Sequence, residues 1–370
     1  MKRVMDGFTK VVDNYQKKQR FHKNGLNDLE SISEDHFFVK NNCRYVIPYP
    51  FEFRVNTKQR WFGRSILEVF SWEFPHGSQQ YWERELAEGR LLVNGHKISP
   101  NFILQNGHVV THVVHRHEAA TTAEAAEIIY MDADKVVVNK PANLPVHPCG
   151  NYRKNSLLAR LCVEQDLKNL HVIHRLDRQT SGLVIFARNK TYAKFLSEKF
   201  HERQVHKTYV ARVHGQFPSE TVVCDQKLHF DAHDCVGSCA DSGKEAMTTF
   251  RLMFYNSQLE QSLVECKPHT GRTHQIRLHL QHLGHPIVND PLYGFEYDMN
   301  DMENEMYSPS VDILSEDIIR RGQELNCPIC PRVTVHDTKE RSCLIWLHAK
   351  EYKSSDWTFT SPLPSWSDFK

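Results

Sequence analysis

Short apolar runs of strand length, grouped together with few helices between them, are what most limits the folds open to this chain. Lys135-Val136-Val137-Val138-Asn139-Lys140 has the pattern of a buried strand and is stopped by Pro141, because proline cannot donate to a ladder. Gly182 to Ala187 is a second such run, and Tyr209-Val210-Ala211-Arg212-Val213 and Ser262-Leu263-Val264-Glu265-Cys266 are two more. Only two helical periods stand out among them. Residues 190–200 put Tyr192, Phe195, Leu196 and Phe200 on one side. Residues 272–283 space Ile276, Leu280 and Leu283 at i, i+4 and i+7, and Gly284 stops them. A doubly wound parallel sheet needs a helix after nearly every strand. This pattern predicts an α+β domain with a central mixed or antiparallel β-sheet instead.

The 370 residues suffice for two or three domains with a substantial core. Residues 1–55 are polar, then aromatic and proline-containing (Ile47-Pro48-Tyr49-Pro50), and hold no sustained period; they are expected to form an N-terminal arm. Residues 56–118 have the pattern of a small α/β module. Ser65-Ile66-Leu67-Glu68-Val69-Phe70 opens one helix, and Tyr81 to Gly89 gives a second with glycine at its C-terminal end. Leu91-Leu92-Val93 reads as a strand, Asn94-Gly95 as a tight turn, and Asn106-Gly107 as another turn before a strand from His108 to Val114. A linker, AATTAEAA, fills residues 119–126, and the larger domain is expected over 127–360. Within it, residues 296–324 carry nine Asp/Glu against two Arg and read as an acidic surface insertion.

Hydrophobic residues at 40% and charged residues at 25% are ordinary for a soluble globular protein, and no apolar run approaches the roughly 20 residues of a membrane span. The N-terminus lacks the apolar stretch of a secretory signal. Both observations point to the cytoplasm or nucleus. Seven Lys/Arg against two Asp in residues 1–25 leave a mitochondrial address open. Ten scattered cysteines are then expected as thiols. The net charge is only +1, yet residues 171–215 hold nine Lys/Arg against three Asp/Glu, enough for an RNA-binding face inside a near-neutral total.

The most informative segment is His174-Arg175-Leu176-Asp177-Arg178-Gln179-Thr180-Ser181-Gly182, which runs into Leu183-Val184-Ile185-Phe186-Ala187-Arg188. A carboxylate sits between two arginines in a polar turn that leads into a buried strand. Flanking cations favour its ionised form. A pre-positioned carboxylate of this kind can act as a nucleophile. Composition alone leaves a structural Arg–Asp–Arg network equally open.

The string HRLDRQTSGLVIFAR resembles the signature of the RluA-type RNA pseudouridine synthases. Further segments resemble that family in the same order: VVNKPANLPVHP (Val137 to Pro148), HKTYVARVHG (His206 to Gly215), PHTGRTHQIRLHLQHLGHPIVNDPLYG (Pro268 to Gly294), and Leu347 to Ala349 followed by Tyr352. EGRLLVNGHKI within residues 56–118 resembles a small RNA-binding module named after a ribosomal small-subunit protein. VVTHVVHRHE (Val109 to Glu118) resembles the eukaryotic branch whose members modify transfer RNA, typically the anticodon-loop uridine at position 32.

The resemblance implies an isomerase that converts uridine to pseudouridine in RNA by flipping the base out and attacking it with Asp177, either at the sugar or at the ring. Tyr209 would stack on the uracil and assist proton transfer. Arg277 would pair with the carboxylate and hold it ionised. On the 272–283 helix, His274, Arg277 and Gln281 are expected on a polar face. Arg175 would lie near the flipped base, and Arg178, Lys207, Arg272, His274 and Arg188 are expected to bind RNA. His174 is read either as orienting the loop or as a structural histidine. An isomerisation needs no cofactor. The expected partner is RNA, with transfer RNA first and messenger RNA second, bound by a monomer without a membrane.

Three other readings compete. Cys327-Pro328-Ile329-Cys330, with Cys343 and His336 or His348, has part of a zinc pattern but no second clean pair. A non-catalytic RNA-binding protein or chaperone on this fold would have no need of Asp177, Tyr209 and Arg277 together. A glycosidase-like hydrolase needs a second catalytic carboxylate, and these motifs offer none.

Overall fold

The computed structural model describes residues 32–40, 42–74, 77–116, 118–231, 236–294 and 344–369. They divide into two compact units, a small one of residues 47–116 and a large one made of the flanking segments. Residues 1–31 of the expected arm and the acidic insertion at 296–324 lie outside the described residues.

The C-terminal part of the arm is not irregular. Strands β1 (Phe37–Lys40) and β2 (Cys43–Val46) form an antiparallel hairpin within the large unit, with every residue of β2 buried. Strand β3 (Tyr49–Asn56) belongs to the small unit. The aromatic alternation Tyr49, Phe51, Phe53 is the strand period that Pro48 before it and Pro50 within it masked.

In the small unit, helices α1 (Ile66–Glu73) and α2 (Gln79–Glu88) are N-capped by Ser65 and Ser78, whose hydroxyls accept from the Glu68 and Tyr81 amides. Gly89 ends α2 at φ 73°, the left-handed conformation that glycine adopts without penalty. Strand β4 (Leu91–Val93) runs into the expected tight turn, closed by Val93 and His96 bonding each other. Beyond that one bridge the hairpin does not continue among the described residues; β4 pairs with β5 (Val109–Arg116), which also pairs with β3. Trp61, Ile66, Phe70, Trp82 and Leu86 form the core between helices and sheet.

The large unit resumes at Glu118, which the sequence assigned to the module. Its buried carboxylate accepts the amides of Arg153, Lys154 and Asn155 at 2.8–2.9 Å, so this residue is anchored in the larger body. Strand β6 (Thr121–Thr122) joins β2. Then follow β7 (Glu127–Met131), β8 (Lys135–Lys140), α3 (Leu157–Glu164), β9 (His171–Val172), β10 (Ser181–Ala187), α4 (Lys190–His201), β11 (His206–His214), β12 (Val222–Cys224), β13 (Leu228–Asp231), β14 (Val236–Cys239), β15 (Thr248–Asn256), β16 (Gln261–Pro268), α5 (Gln275–His282), β17 (Leu347–Lys353) and β18 (Thr358–Thr360). Ten of these strands form one sheet in the order β12-β15-β16-β11-β17-β10-β8-β7, with β18 on β17 and β9 on β10. Only β10 and β17 are parallel; every other described pair is antiparallel. The fold is the expected α+β type with a mixed sheet.

One transverse row of this sheet organises the site. Lys140, Gly182, Ala349, Tyr209, Cys266 and Phe250 are successive register partners from β8 to β15. At Gly182 the strands approach so closely that a Cβ would lie 2.3 Å from the Ala349 carbonyl oxygen, and φ is +107°. Glycine is required there on both counts.

Candidate active site

The loop between β9 and β10 carries Asp177. Three contacts shape it. The Thr180 amide bonds the Asp177 carbonyl at 3.2 Å and closes a turn. The Ile185 amide donates to His174 Nε2 at 3.0 Å while the imidazole stacks on Phe200. Burial pushes the His174 pKa down to about 3, so the ring is neutral and ties the loop to β10. Fully buried Lys140 donates to the carbonyls of Pro141, Leu144 and Arg178 at 2.8–3.1 Å, joining the loop after β8 to the residue that follows Asp177. Burial pushes its ammonium down to about 7, and the Asp177 charge pulls the other way.

The Asp177 carboxylate is about a quarter exposed. Arg277 Nη1 stands 3.7 Å from its Oδ2, and His274 Nε2 stands 3.9 Å from the same oxygen. Arg175 and Arg178, the sequence neighbours expected to supply positive charge, make no ion pair with it among the described residues. The groups beside the carboxylate are the Arg277 guanidinium on α5 and the imidazole of the residue before that helix.

Arg277 is itself held by a different acid. Its Nε and Nη2 donate to Asp290 Oδ2 and Oδ1, both at 2.7 Å, in a fork-to-carboxylate pair. Asp290 Oδ1 also accepts the amides of Leu292 and Tyr293, and the Tyr293 ring lies under the guanidinium. Arg277 still forms an ion pair with Asp177 through Nη1, while its other two nitrogens are taken by Asp290. Asp290 fixes the arginine, and only its remaining nitrogen faces Asp177.

Helix α5 starts three residues later than expected, because the Gln275 side chain organises the loop before it. That amide oxygen accepts from Thr270 Oγ1 and the Arg272 amide, and its nitrogen donates to Met247 and Thr248. Residues 275–280 are all buried, so the helix has no solvent-facing polar side at this end. Arg277 points inward, and His274 is the N-cap at φ 55°.

Tyr209, on β11, is buried with its hydroxyl 3.0 Å from that of Tyr352 on β17. Burial, reinforced by the Asp177 charge, pushes its pKa up to about 12. Asp177, Tyr209, Arg277, Arg175, Lys207, Arg272 and His274 all line one cavity of 1350 Å³. Its walls carry seven Lys/Arg against two Asp/Glu, in a chain whose net charge is +1. Lys207 is mostly buried and has no acid within ion-pair distance among the described residues, and burial lowers its pKa. Arg175 is exposed at the rim.

Two expected RNA-binding residues lie elsewhere. Arg178 turns to Asn143 and the Tyr152 ring. Arg188 donates to the Asp132 carbonyl. Both tie loops together and neither lines the cavity. The zinc candidates Cys327, Cys330 and Cys343 lie outside the described residues. Sequence reading missed Lys140, Asp290, Tyr293 and Tyr352 as members of this site. All four stand in or beside segments quoted for the resemblance, but nothing in a linear string pairs Asp290 with an arginine thirteen positions earlier.

A carboxylate facing a large cationic cavity on a mixed α+β sheet is the layout of an enzyme that works on a polyanion. The sequence pattern of the RNA pseudouridylate synthase family matches residues 134–282. The chain is 34% identical over 357 residues to RNA pseudouridine synthase 7 of Arabidopsis thaliana, covering 91% of this chain and 89% of that protein. It is 43% identical over 268 residues to the human Pseudouridylate synthase RPUSD2, covering 72% of this chain and 49% of that one. It is 31% identical over 366 residues to the mitochondrial tRNA pseudouridine(32) synthase of Saccharomyces cerevisiae, covering 89% and 78%. The chain belongs to the RluA-type RNA pseudouridine synthase family. It is an isomerase that converts uridine to pseudouridine within RNA.

Proposed function

We infer that this chain modifies transfer RNA at the anticodon-loop uridine 32, with Asp177 as the nucleophile. The carrying observation is the convergence of Asp177, Tyr209 and Arg277 on one cationic cavity, with Arg277 Nη1 3.7 Å from the carboxylate. The cavity exceeds the roughly 300–1,000 Å³ of small-molecule pockets, which suits an extruded nucleotide together with its neighbours. The target and position rest on the yeast relative that is named a tRNA pseudouridine(32) synthase.

In this reading Asp177 attacks the flipped nucleotide, Tyr209 stacks on the uracil and donates through its hydroxyl, and Arg277 places positive charge beside the carboxylate. Lys207 and Arg175 take backbone phosphate, and Arg272 lines the wall next to them. The unit of residues 47–116, with two helices against a three-stranded sheet, serves as an accessory RNA-binding module. The yeast relative is named as mitochondrial, so a mitochondrial address stands beside the cytoplasm and nucleus.

The test is tritium release from 5-tritiated uridine in transfer RNA. Asp177→Asn, nearly isosteric, is expected to fold, bind RNA and release no tritium. Near-wild-type release by that variant refutes the role of Asp177. Pseudouridine mapping with and without the protein checks the target, and an unchanged signal at position 32 overturns it.

A further inference from the structure

We propose that Tyr293 and His274 form a hydrogen-bonded relay that positions Asp177, holding its Oδ2 from behind so that Oδ1 meets the nucleotide. The proposal rests on the reading of Asp177 as nucleophile and adds two positioning residues to it.

The relay follows from counting protons. The Gly237 amide donates to Tyr293 Oη at 2.8 Å, and His274 Nδ1 lies 2.8 Å from the same oxygen. The hydroxyl is buried, and these are its only hydrogen-bond partners among the described residues. A backbone amide cannot accept, so the hydroxyl proton has one place to go, the lone pair of His274 Nδ1. A buried hydroxyl left without an acceptor is costly. Accepting at Nδ1 forces the imidazole proton onto Nε2, the nitrogen that faces Asp177 Oδ2 at 3.9 Å. Arg277 Nη1 reaches the same oxygen at 3.7 Å. Both distances are long for hydrogen bonds, and such contacts characteristically tighten when substrate binds. Two donors thus converge on one carboxylate oxygen and leave the other for chemistry.

Three further observations agree. His274 is a non-glycine residue in the left-handed region at the start of α5, with no capping bond from its side chain, so its conformation serves the ring's direction. Phe230 from β13 and Tyr293 both pack edge-on against the imidazole at 5.5 Å and fix its plane. The charged groups that face it are Asp177, Arg277, Asp290 and Arg175; burial keeps the ring neutral, with the two arginines acting in the same sense and the two carboxylates against it.

Tyr293→Phe removes one oxygen and keeps the ring under Arg277. Without the hydroxyl donor, Nδ1 is free to bind a proton, so the imidazole charges more readily and grips Asp177. In the full-length protein, with tritium release as readout, kcat is expected to fall about 10-fold or more, as when other orienting partners of a functional side chain are removed, with KM within about twofold. The acid limb of the kcat profile moves to higher pH. His274→Gln keeps a donor amide but cannot titrate; it is expected to retain more activity than His274→Ala and to lose that pH shift. Wild-type kcat and an unmoved acid limb in Tyr293→Phe overturn the relay, as do equal losses in His274→Gln and His274→Ala should Tyr293→Phe not fold. An inactive Asp177→Asn alongside those results leaves the nucleophile assignment standing; turnover by Asp177→Asn removes the reading beneath both.

Discussion

Asp290→Asn tests the arrangement of buried charge that the site depends on. The side chains of Asp290 and Arg277 are 0% and 3% exposed, and two bonds of 2.7 Å join them. Asparagine keeps one oxygen and replaces the other with an amide group that can only donate. In place of Oδ2 that group faces the Arg277 Nε–H, and in place of Oδ1 it faces the Nη2–H and the amides of Leu292 and Tyr293, so either orientation leaves a guanidinium donor without its acceptor. Arg277 meanwhile loses its main counter-charge in a dry setting. Breaking a buried pair by removing one partner costs about 3–5 kcal/mol. With about 2–4 °C per kcal/mol for a unit of this size, Tm should fall by about 6–20 °C. Activity should fall as well, because the freed guanidinium is drawn to Asp177 and occupies the carboxylate. The assay is thermal unfolding by circular dichroism, with Arg277→Met and the double variant completing a cycle. If the stranded cation is the cause, the double variant is more stable than the two single losses predict, by about 0.5–3 kcal/mol. A Tm within about 2 °C of wild type, or strictly additive losses, refutes the reasoning.

Gly182→Ala should prevent folding or lower Tm by more than about 10 °C, since the added carbon would lie 2.3 Å from the Ala349 carbonyl at a φ of +107°; normal expression and melting would show that the strand contact is not tight. Tyr209→Phe should lower kcat about 100-fold with KM unchanged, as expected for a lost proton donor. With its pKa pushed up to about 12, the Tyr209 hydroxyl stays protonated from pH 6 to 9. Wild type and variant should therefore share one profile shape over that range. A basic limb present in wild type and missing from the variant would refute this assignment.

The catalytic sheet was legible because buried strands announce themselves. Lys135–Lys140 is bounded by its own Pro141, and β10 matches a continuous apolar run. Strand β3 was hidden because Pro48 precedes it and Pro50 interrupts its aromatic alternation. Helix α3 was not anticipated: its apolar stripe sits in a segment without a glycine stop. Asp177, Tyr209 and Arg277 could be named because each stands in a motif with neighbours of fixed type. Their relations could not. Arg175 and Arg178 are adjacent to Asp177 in the chain, but adjacency in a turn sends side chains to different places, one to the cavity rim and the other to Asn143. The partners that hold the site, Asp290 for Arg277 and Tyr293 for His274, are set by the path of the chain after α5, which no local pattern encodes.

The transverse row explains why residues from four distant segments meet so closely. Tyr209 is placed by pairing with Ala349, which is placed by parallel pairing with Gly182, five residues after Asp177. Gly182 in turn pairs with Lys140, whose ammonium holds the carbonyl of the residue after Asp177. The phenol and the carboxylate are therefore linked through backbone hydrogen bonds and one buried cation, not through flexible surface contacts. Fixing them this way costs little reorganisation when the nucleotide enters, which is the condition for preorganised electrostatic catalysis. It also predicts where the site is fragile. A change that shifts the β10–β17 contact displaces the acid relative to the phenol, whereas substitutions of the exposed cations around the rim alter RNA affinity and leave the chemistry in place.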